Sequence, residues 1–254
     1  PYFNCGACIA CRNGLPNCCT HIQVCGVHID GGMVEYLRVP SYSLVHGNGL
    51  HYDELALIEP LAIGAHGIQR AGVCENEYVL LIGAGPIGIC AMQFVHVAGA
   101  HVIAMDVNDS RLAFCKEHKY ADHTINALSE NITEQLLVIT GGDMPSVIID
   151  ATGNQKAINN ALQYLAHGGR FVLIGLQKGH ISFSHPEFHK RETTLMSSRN
   201  ATRHDFEHVI TSVEKGVINP SALITHALDF DAVKDSFEGF LNPANHVIKA
   251  VIHF

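Results

Sequence analysis

Residues Val79 to Asp106 read V-L-L-I-G-A-G-P-I-G-I-C-A-M-Q-F-V-H-V-A-G-A-H-V-I-A-M-D. An apolar run, Val79–Ile82, breaks into the glycine turn Gly83-Ala84-Gly85-Pro86-Ile87-Gly88. A helical stretch follows, then a second apolar run that ends on an acid. Strand, glycine-rich turn, helix, strand and carboxylate, in that order, are what a dinucleotide needs. Gly83 permits the tight turn, Gly85 lets the backbone approach a pyrophosphate, and Gly88 lets helix and strand pack closely. Pro86 and Ile87 open the helix, whose N-terminus offers free N–H groups and positive dipole to the phosphates. Asp106 lies 18 residues beyond Gly88, close to the roughly 20 expected for a ribose-binding acid.

Two other readings of the stretch compete. No Asp, Glu, Lys or Arg occurs between Glu77 and Asp106, so a membrane-spanning helix has the length it needs. Pro86, the glycines, Gln93 and two histidines argue against it. A glycine turn that holds no phosphate, in an ordinary α/β fold, is the other alternative, since fold and site are separable. The dinucleotide reading is preferred because strand, helix and acid all fall where it requires.

The net charge of −8 comes without a basic block, so neither nucleic acid nor an anionic membrane surface is a natural partner. With 254 residues, 47% hydrophobic, the chain can build one large domain or two small ones. Six of the nine cysteines fall between Cys5 and Cys25. Clustered thiols of this kind point to metal rather than disulfides, and to an intracellular, cytoplasmic setting. The 18 histidines are dispersed without ligand spacing.

Cys5, Cys8, Cys11 and Cys19 have the spacing C-x2-C-x2-C-x7-C. Four thiolates so close in sequence can close a tetrahedral zinc site, and a saturated ion has no position left for substrate, which makes the site structural. Cys18 is the alternative fourth ligand, and free or paired cysteines are the alternative to a metal.

With Gly31-Gly32-Met33-Val34-Glu35-Tyr36, Val39-Pro40, Glu59-Pro60-Leu61 and the Gly83–Gly88 turn, the four-cysteine loop resembles the zinc-dependent medium-chain dehydrogenases. Within them it looks most like the polyol, threonine and sugar-acid branch, typified by sorbitol, L-threonine and L-galactonate dehydrogenases. The resemblance implies an α/β fold: a Rossmann doubly wound parallel sheet plus part of a GroES-like, mainly β catalytic domain. It divides the chain into residues 1–60, partial catalytic domain with the structural zinc lobe; 61–216, NAD-binding domain; and 217–254, a return to the catalytic domain. Family members carry a cysteine and a Gly-His-Glu motif, ligands of a catalytic zinc, in an N-terminal segment that this sequence lacks. The expectation is therefore a partial representation of a longer enzyme, with catalytic zinc only where those ligands are present. Glu59 matches the family glutamate beside that zinc and is the one catalytic candidate; a solvated helix-end acid is the alternative.

From residue 78 the apolar runs Val79–Ile82, His101–Met105, His123–Asn126, Val147–Ala151, Arg170–Ile174 and Thr193–Ser198 alternate with helical segments, one capped at Asp109-Ser110. Continuous rather than alternating apolar strands mean a parallel sheet covered on both faces, with its site at the carboxyl ends of the strands. The cofactor-facing candidates there are Asp106, Ala151, Thr152, Ile174, Gly175 and Leu176. The resemblance adds Arg111 near the adenine and Ser197, Ser198 and Arg199 after the sixth strand. A carboxylate at 106 would accept from ribose hydroxyls and repel a 2′-phosphate, favouring NAD over NADP. Elsewhere Val34–Val39 reads as a strand closed by Pro40, and Asp53–Gly72 as a helix.

The function so implied is hydride transfer to NAD from a secondary alcohol of a polyol, sugar acid or similar small molecule, in a homo-oligomer, dimer or tetramer. An inactive fragment binding NAD and structural zinc, and a zinc-free quinone-reductase type of relative, are the alternatives. The four-cysteine loop speaks against the second.

Overall fold

The computed structural model describes residues 2–254, apart from the side chain of Pro243. Pro1, where the first expected segment begins, lies outside them. The chain forms two compact units, one of Pro1–Ala62 with Arg199–Phe254 and the other Ile63–Ser198.

In the first unit, strands β1 (Tyr2–Phe3) and β2 (Gln23–Val24) pair antiparallel around the cysteine loop, which holds the short helix α1 (Ile9–Arg12) and a 3-10 turn over Pro16–Cys18. Residues 34–39 form no strand. A β-branched, alternating segment becomes a strand only where a neighbour takes its backbone groups, and here Val34, Tyr36 and Leu37 stand exposed with none beside them. Helix α2 (Tyr52–Ala71) begins in this unit, carries Pro60 internally and stops at Gly72, whose φ of 59° suits a helix-ending glycine.

The second unit is a six-stranded parallel sheet: β3 (Tyr78–Ile82), β4 (His101–Asp106), β5 (His123–Asn126), β6 (Val147–Asp150), β7 (Arg170–Leu173) and β8 (Thr194–Ser197). Helices α3 (Pro86–Val97), α4 (Asp109–Glu117), α5 (Ile132–Ile139), α6 (Gln155–Ala161) and α7 (His185–Lys190) connect them. The central strands are buried on both faces, as their unbroken apolar runs require: Leu80, Leu81, Ile103, Ile148 and Ile149 are all wholly inaccessible. The spatial order β5-β4-β3-β6-β7-β8 reverses between β3 and β6, the place where a doubly wound sheet opens a binding crevice. Helix α4 is capped by Asn108, one residue before the expected Asp109-Ser110. Its side chain accepts from the N–H groups of Ser110 and Arg111, the geometry Asn favours at that position.

The chain then returns to the first unit through α8 (Arg203–Glu214), β9 (Ile224–Asp229), α9 (Val233–Leu241) and β10 (Lys249–His253), with β9 and β10 parallel. Asp205 caps α8 by accepting from the N–H and the hydroxyl of Thr202, at 2.7 and 2.6 Å.

Candidate functional site

Strand register in the second unit gathers residues that are far apart in sequence. Ile82 pairs with Met105 and with Asp150, Asp150 with Leu173, and Leu173 with Ser197. The next residues therefore leave the sheet along one carboxyl edge, each held by a backbone bond: Gly83 to Met105, Ala151 to Ile82, Ile174 to Asp150 and Ser198 to Leu173, all 2.8 or 2.9 Å. Gly83, Asp106, Ala151, Thr152, Ile174, Gly175 and Ser198 are thereby brought to one edge.

Within that edge the glycines have steric reasons. A Cβ on Gly88 would meet the carbonyl oxygen of Gly83 at 1.8 Å, and one on Gly83 would meet Thr152 at 2.8 Å, with φ at 104° besides. Helix α3 starts at Pro86 with Gly85 as its cap, and its first internal bond runs from Ile89 N–H to Gly85. The N–H groups of Ile87 and Gly88 thus precede the helical ladder at the dipole's positive end, an anion-binding arrangement. Arg111 lies on α4, and its Nη1 stands 3.8 Å from where a Cβ on Gly85 would be. A cation thus hangs over the turn.

Asp106 is 9% exposed. One carboxylate oxygen accepts from Ala84 N–H at 2.7 Å and the other from Asn108 N–H at 2.9 Å. A carboxylate offers about four acceptor positions, so two remain for a ribose diol. Ser198 Oγ is buried and, among the described residues, has no hydrogen-bond partner, the kind of atom that a bound polar group would satisfy. These residues fit a dinucleotide. Leu176 is 88% exposed, and Ser197 and Arg199 are exposed as well, so they contribute little to the walls of the edge.

Two residues were not singled out by the sequence reading. Asp150, wholly buried, accepts from Thr152 Oγ1 at 2.6 Å, Thr152 N–H at 3.3 Å and Gly153 N–H at 3.0 Å. Its signal was available: V-I-I-D repeats the pattern of an apolar strand ending on an acid that marks Asp106. The other is Tyr2, in the first unit, whose hydroxyl donates to Glu59. Burial and the Glu59 carboxylate both push the Tyr2 hydroxyl well above its ordinary pKa, holding the proton on the phenol. Glu59 is half-buried on α2 and not the solvated helix-end acid of the alternative. It lines a cleft of about 490 Å³ with Tyr2, Asn17, Tyr42, Arg203 and Phe206. Arg203 braces the cleft wall, donating to the carbonyls of Tyr42 and Leu44 at 2.9 and 2.6 Å.

The thiol sulfurs of Cys5, Cys8, Cys11 and Cys19 lie within 4.8 Å of one another. A tetrahedral zinc with bonds of about 2.3 Å spaces its sulfurs by about 3.8 Å, so the set fits the ion. Cys18 is exposed and outside the cluster, whereas Cys19 is buried within it. Backbone N–H groups of Cys11 and Thr20 hold the Cys8 thiol down at about 5, whereas desolvation and the neighbouring Cys8 push Cys11 up to about 11. Such sharing of charge is what four close thiols do until a dication neutralises them. Among the described residues, no other group of three or more metal-binding side chains is close enough to hold an ion. Glu59 and Tyr2 therefore do not by themselves make a catalytic zinc site.

A doubly wound sheet with a glycine-turn nucleotide edge, in a chain that also carries a closed four-thiolate loop, defines a dinucleotide-dependent zinc protein as the class. Residues 86–215 match the family model described as "Zinc-binding dehydrogenase". L-galactonate-5-dehydrogenase of Escherichia coli K12 is 41% identical over 257 residues, covering all of this chain and 74% of that protein. The starvation-sensing protein RspB of the same strain is 35% identical, over all of this chain and 75% of its own length. A crystal structure of an alcohol dehydrogenase from Escherichia coli CFT073, in complex with the cofactor NADH, superposes with a TM-score of 0.92 at 33% identity, covering all of this chain and 75% of that one. The chain belongs to the zinc-binding dehydrogenase family, in its polyol, threonine and sugar-acid branch.

Proposed function

We propose that the protein is an NAD-dependent dehydrogenase that oxidises a secondary alcohol of a sugar acid or polyol, with an aldonate the first substrate to test. The observation that carries this reading is the convergence of Gly83–Gly88, Asp106, Ala151-Thr152 and Ile174-Gly175 on one sheet edge, in a chain 41% identical to an aldonate dehydrogenase. When bound, NAD supplies the hydride acceptor and a catalytic zinc the Lewis acidity that lowers the alcohol's pKa.

The chain's own residues do the following. The Ile87 and Gly88 N–H groups and Arg111 hold the pyrophosphate. Asp106 accepts from the adenosine ribose hydroxyls and turns away a 2′-phosphate. Ala151, Thr152, Ile174, Gly175 and Ser198 face the remainder of the cofactor. Cys5, Cys8, Cys11 and Cys19 hold a structural zinc that stiffens a loop with little core of its own. Glu59, with Tyr2 fixing its carboxylate, orients the substrate hydroxyl in the first unit's cleft. The described residues do not supply the ligands of a zinc ion at Glu59.

We place the protein in the cytoplasm, where a thiolate–zinc loop stays reduced; among the described residues no helix is long and apolar enough to cross a membrane. A homo-oligomer, dimer or tetramer, is supported by β8, an edge strand of the sheet that is only partly buried and offers unpaired backbone groups to a second copy.

The test is alcohol-dependent formation of NADH across aldonates, hexitols and threonine, with zinc content measured on the same sample. Turnover of an aldonate or hexitol with NAD supports the reading. Failure of every alcohol while NAD still binds would sink the substrate half.

A further inference from the structure

Asp150 is more deeply buried than Glu77 at the opposite edge of its sheet, yet among the described residues no cation donates to it, whereas Glu77 has Arg170. The Asp150 carboxylate is wholly inaccessible, yet each donor recorded to it is neutral: the Thr152 hydroxyl, Thr152 N–H and Gly153 N–H. An isolated buried charge costs several kcal/mol unless something of opposite sign compensates it. Burial pushes this carboxyl upward, and the three donors pull it back. A cation arriving from outside would favour the charged form of such a group.

Its place in the fold says which cation. A doubly wound sheet binds a dinucleotide across two mononucleotide halves, with the ribose acid marking the adenosine half. Asp106 marks that half, on β4. Asp150 ends β6, the first strand of the other half, beside β3 at the order reversal. Both loops expected to face that end of the cofactor hang on it. Thr152 and Gly153 donate to its side chain, and Ile174 and Gly175 N–H donate to its backbone carbonyl at 2.8 and 3.0 Å. Gly153 and Gly175 press on it as bare backbone: a Cβ on Gly175 would lie 2.8 Å from Asp150 Oδ2 and 2.2 Å from Gly153 N. The nicotinamide ring of NAD⁺ carries a positive charge that NADH has lost.

We infer that Asp150 is a buried counter-charge for the oxidised nicotinamide, so that this edge binds NAD⁺ better relative to NADH than a neutral edge would. The inference rests on the NAD reading above. Asp150 acts across the two loops without touching the cofactor, as a positioning residue with an electrostatic effect on which redox form is held.

Titration of the full chain with NAD⁺ and, separately, with NADH reads this directly. Asp150→Asn keeps the shape and removes the charge, and is expected to raise the Kd of NAD⁺ about tenfold more than that of NADH, the size of a unit charge acting through a protein edge. Asp150→Ser, neutral and smaller, gives the same shift in the ratio should the Asn variant not fold. Thr152→Val keeps the charge and loosens the loop, so it weakens both forms by one common factor. A neutral variant that folds and keeps the wild-type NAD⁺/NADH ratio overturns the inference and leaves the NAD reading standing. Wild-type protein that binds neither form overturns both.

Discussion

The two edges of the six-stranded sheet carry acids in different company. At the amino edge Glu77 meets Arg170 at 2.6 Å and also accepts from Ser146 Oγ and Cys74 N–H, tying the starts of β3, β6 and β7 together. Asp122 accepts from Val102 N–H at 2.7 Å and pairs with His96 at 3.1 Å. At the carboxyl edge Asp106 and Asp150 are at least as buried, yet only neutral N–H and O–H groups are recorded as donors to them. Acids that hold a sheet together bring their own partners. The two acids of the carboxyl edge are held in place by neutral donors alone, so a charge brought to that edge would meet no cation already paired with them.

Substitutions at the two edges should separate stability from binding. The largest effect is expected for Gly88→Ala, whose Cβ would lie 1.8 Å from a backbone oxygen. It should cost about 3 kcal/mol of stability or more and abolish measurable NAD binding, read by thermal melting and titration. Next comes Asp106→Asn, which keeps the fold but offers ribose one acceptor fewer and no charge. NAD affinity should fall about tenfold or more, at about the 1.5–3 kcal/mol of a charged hydrogen bond, and the gap to NADP should narrow.

Glu77→Gln should behave in the opposite way: about 1–2 kcal/mol of stability lost, with Kd for NAD unchanged. Its pH dependence has a definite sign. Burial pushes the Glu77 carboxyl up, but Cys74 N–H, Ser146 and Arg170 together hold it below the ordinary carboxylate range. A depressed native pKa contributes stability that is present above the unfolded value of about 4.3 and is lost as pH falls through the native one. The difference in melting temperature between wild type and Glu77→Gln should therefore be full at neutral pH and shrink in acid. The smallest effect is expected in the first unit, where Tyr2→Phe should lower kcat for the alcohol several-fold, about the worth of one hydrogen bond, without moving NAD affinity.

The second unit was largely legible from sequence because parallel strands buried on both faces leave unbroken apolar runs. All six strands lie where those runs predict, within a residue at each end. Asp106 could be found because a glycine turn stands a fixed distance before it. Asp150 has no such turn, and only the strand register shows that it shares an edge with Gly83. In the first unit the cysteine spacing was enough to foresee the cluster, since four ligands close in sequence need little tertiary help. Val34–Val39 misled for the converse reason: alternation states what a strand would look like, not whether a partner exists. Tyr2 was invisible because 57 residues separate it from Glu59 and no local pattern links them.

The central claim, that the carboxyl edge is an NAD site whose selectivity comes from Asp106, is tested most directly by titrating the wild-type protein with NAD⁺ and NADP⁺ side by side. NAD⁺ should bind at least about tenfold more tightly, since a buried carboxylate at the ribose repels a 2′-phosphate. Equal affinity for the two would contradict the account.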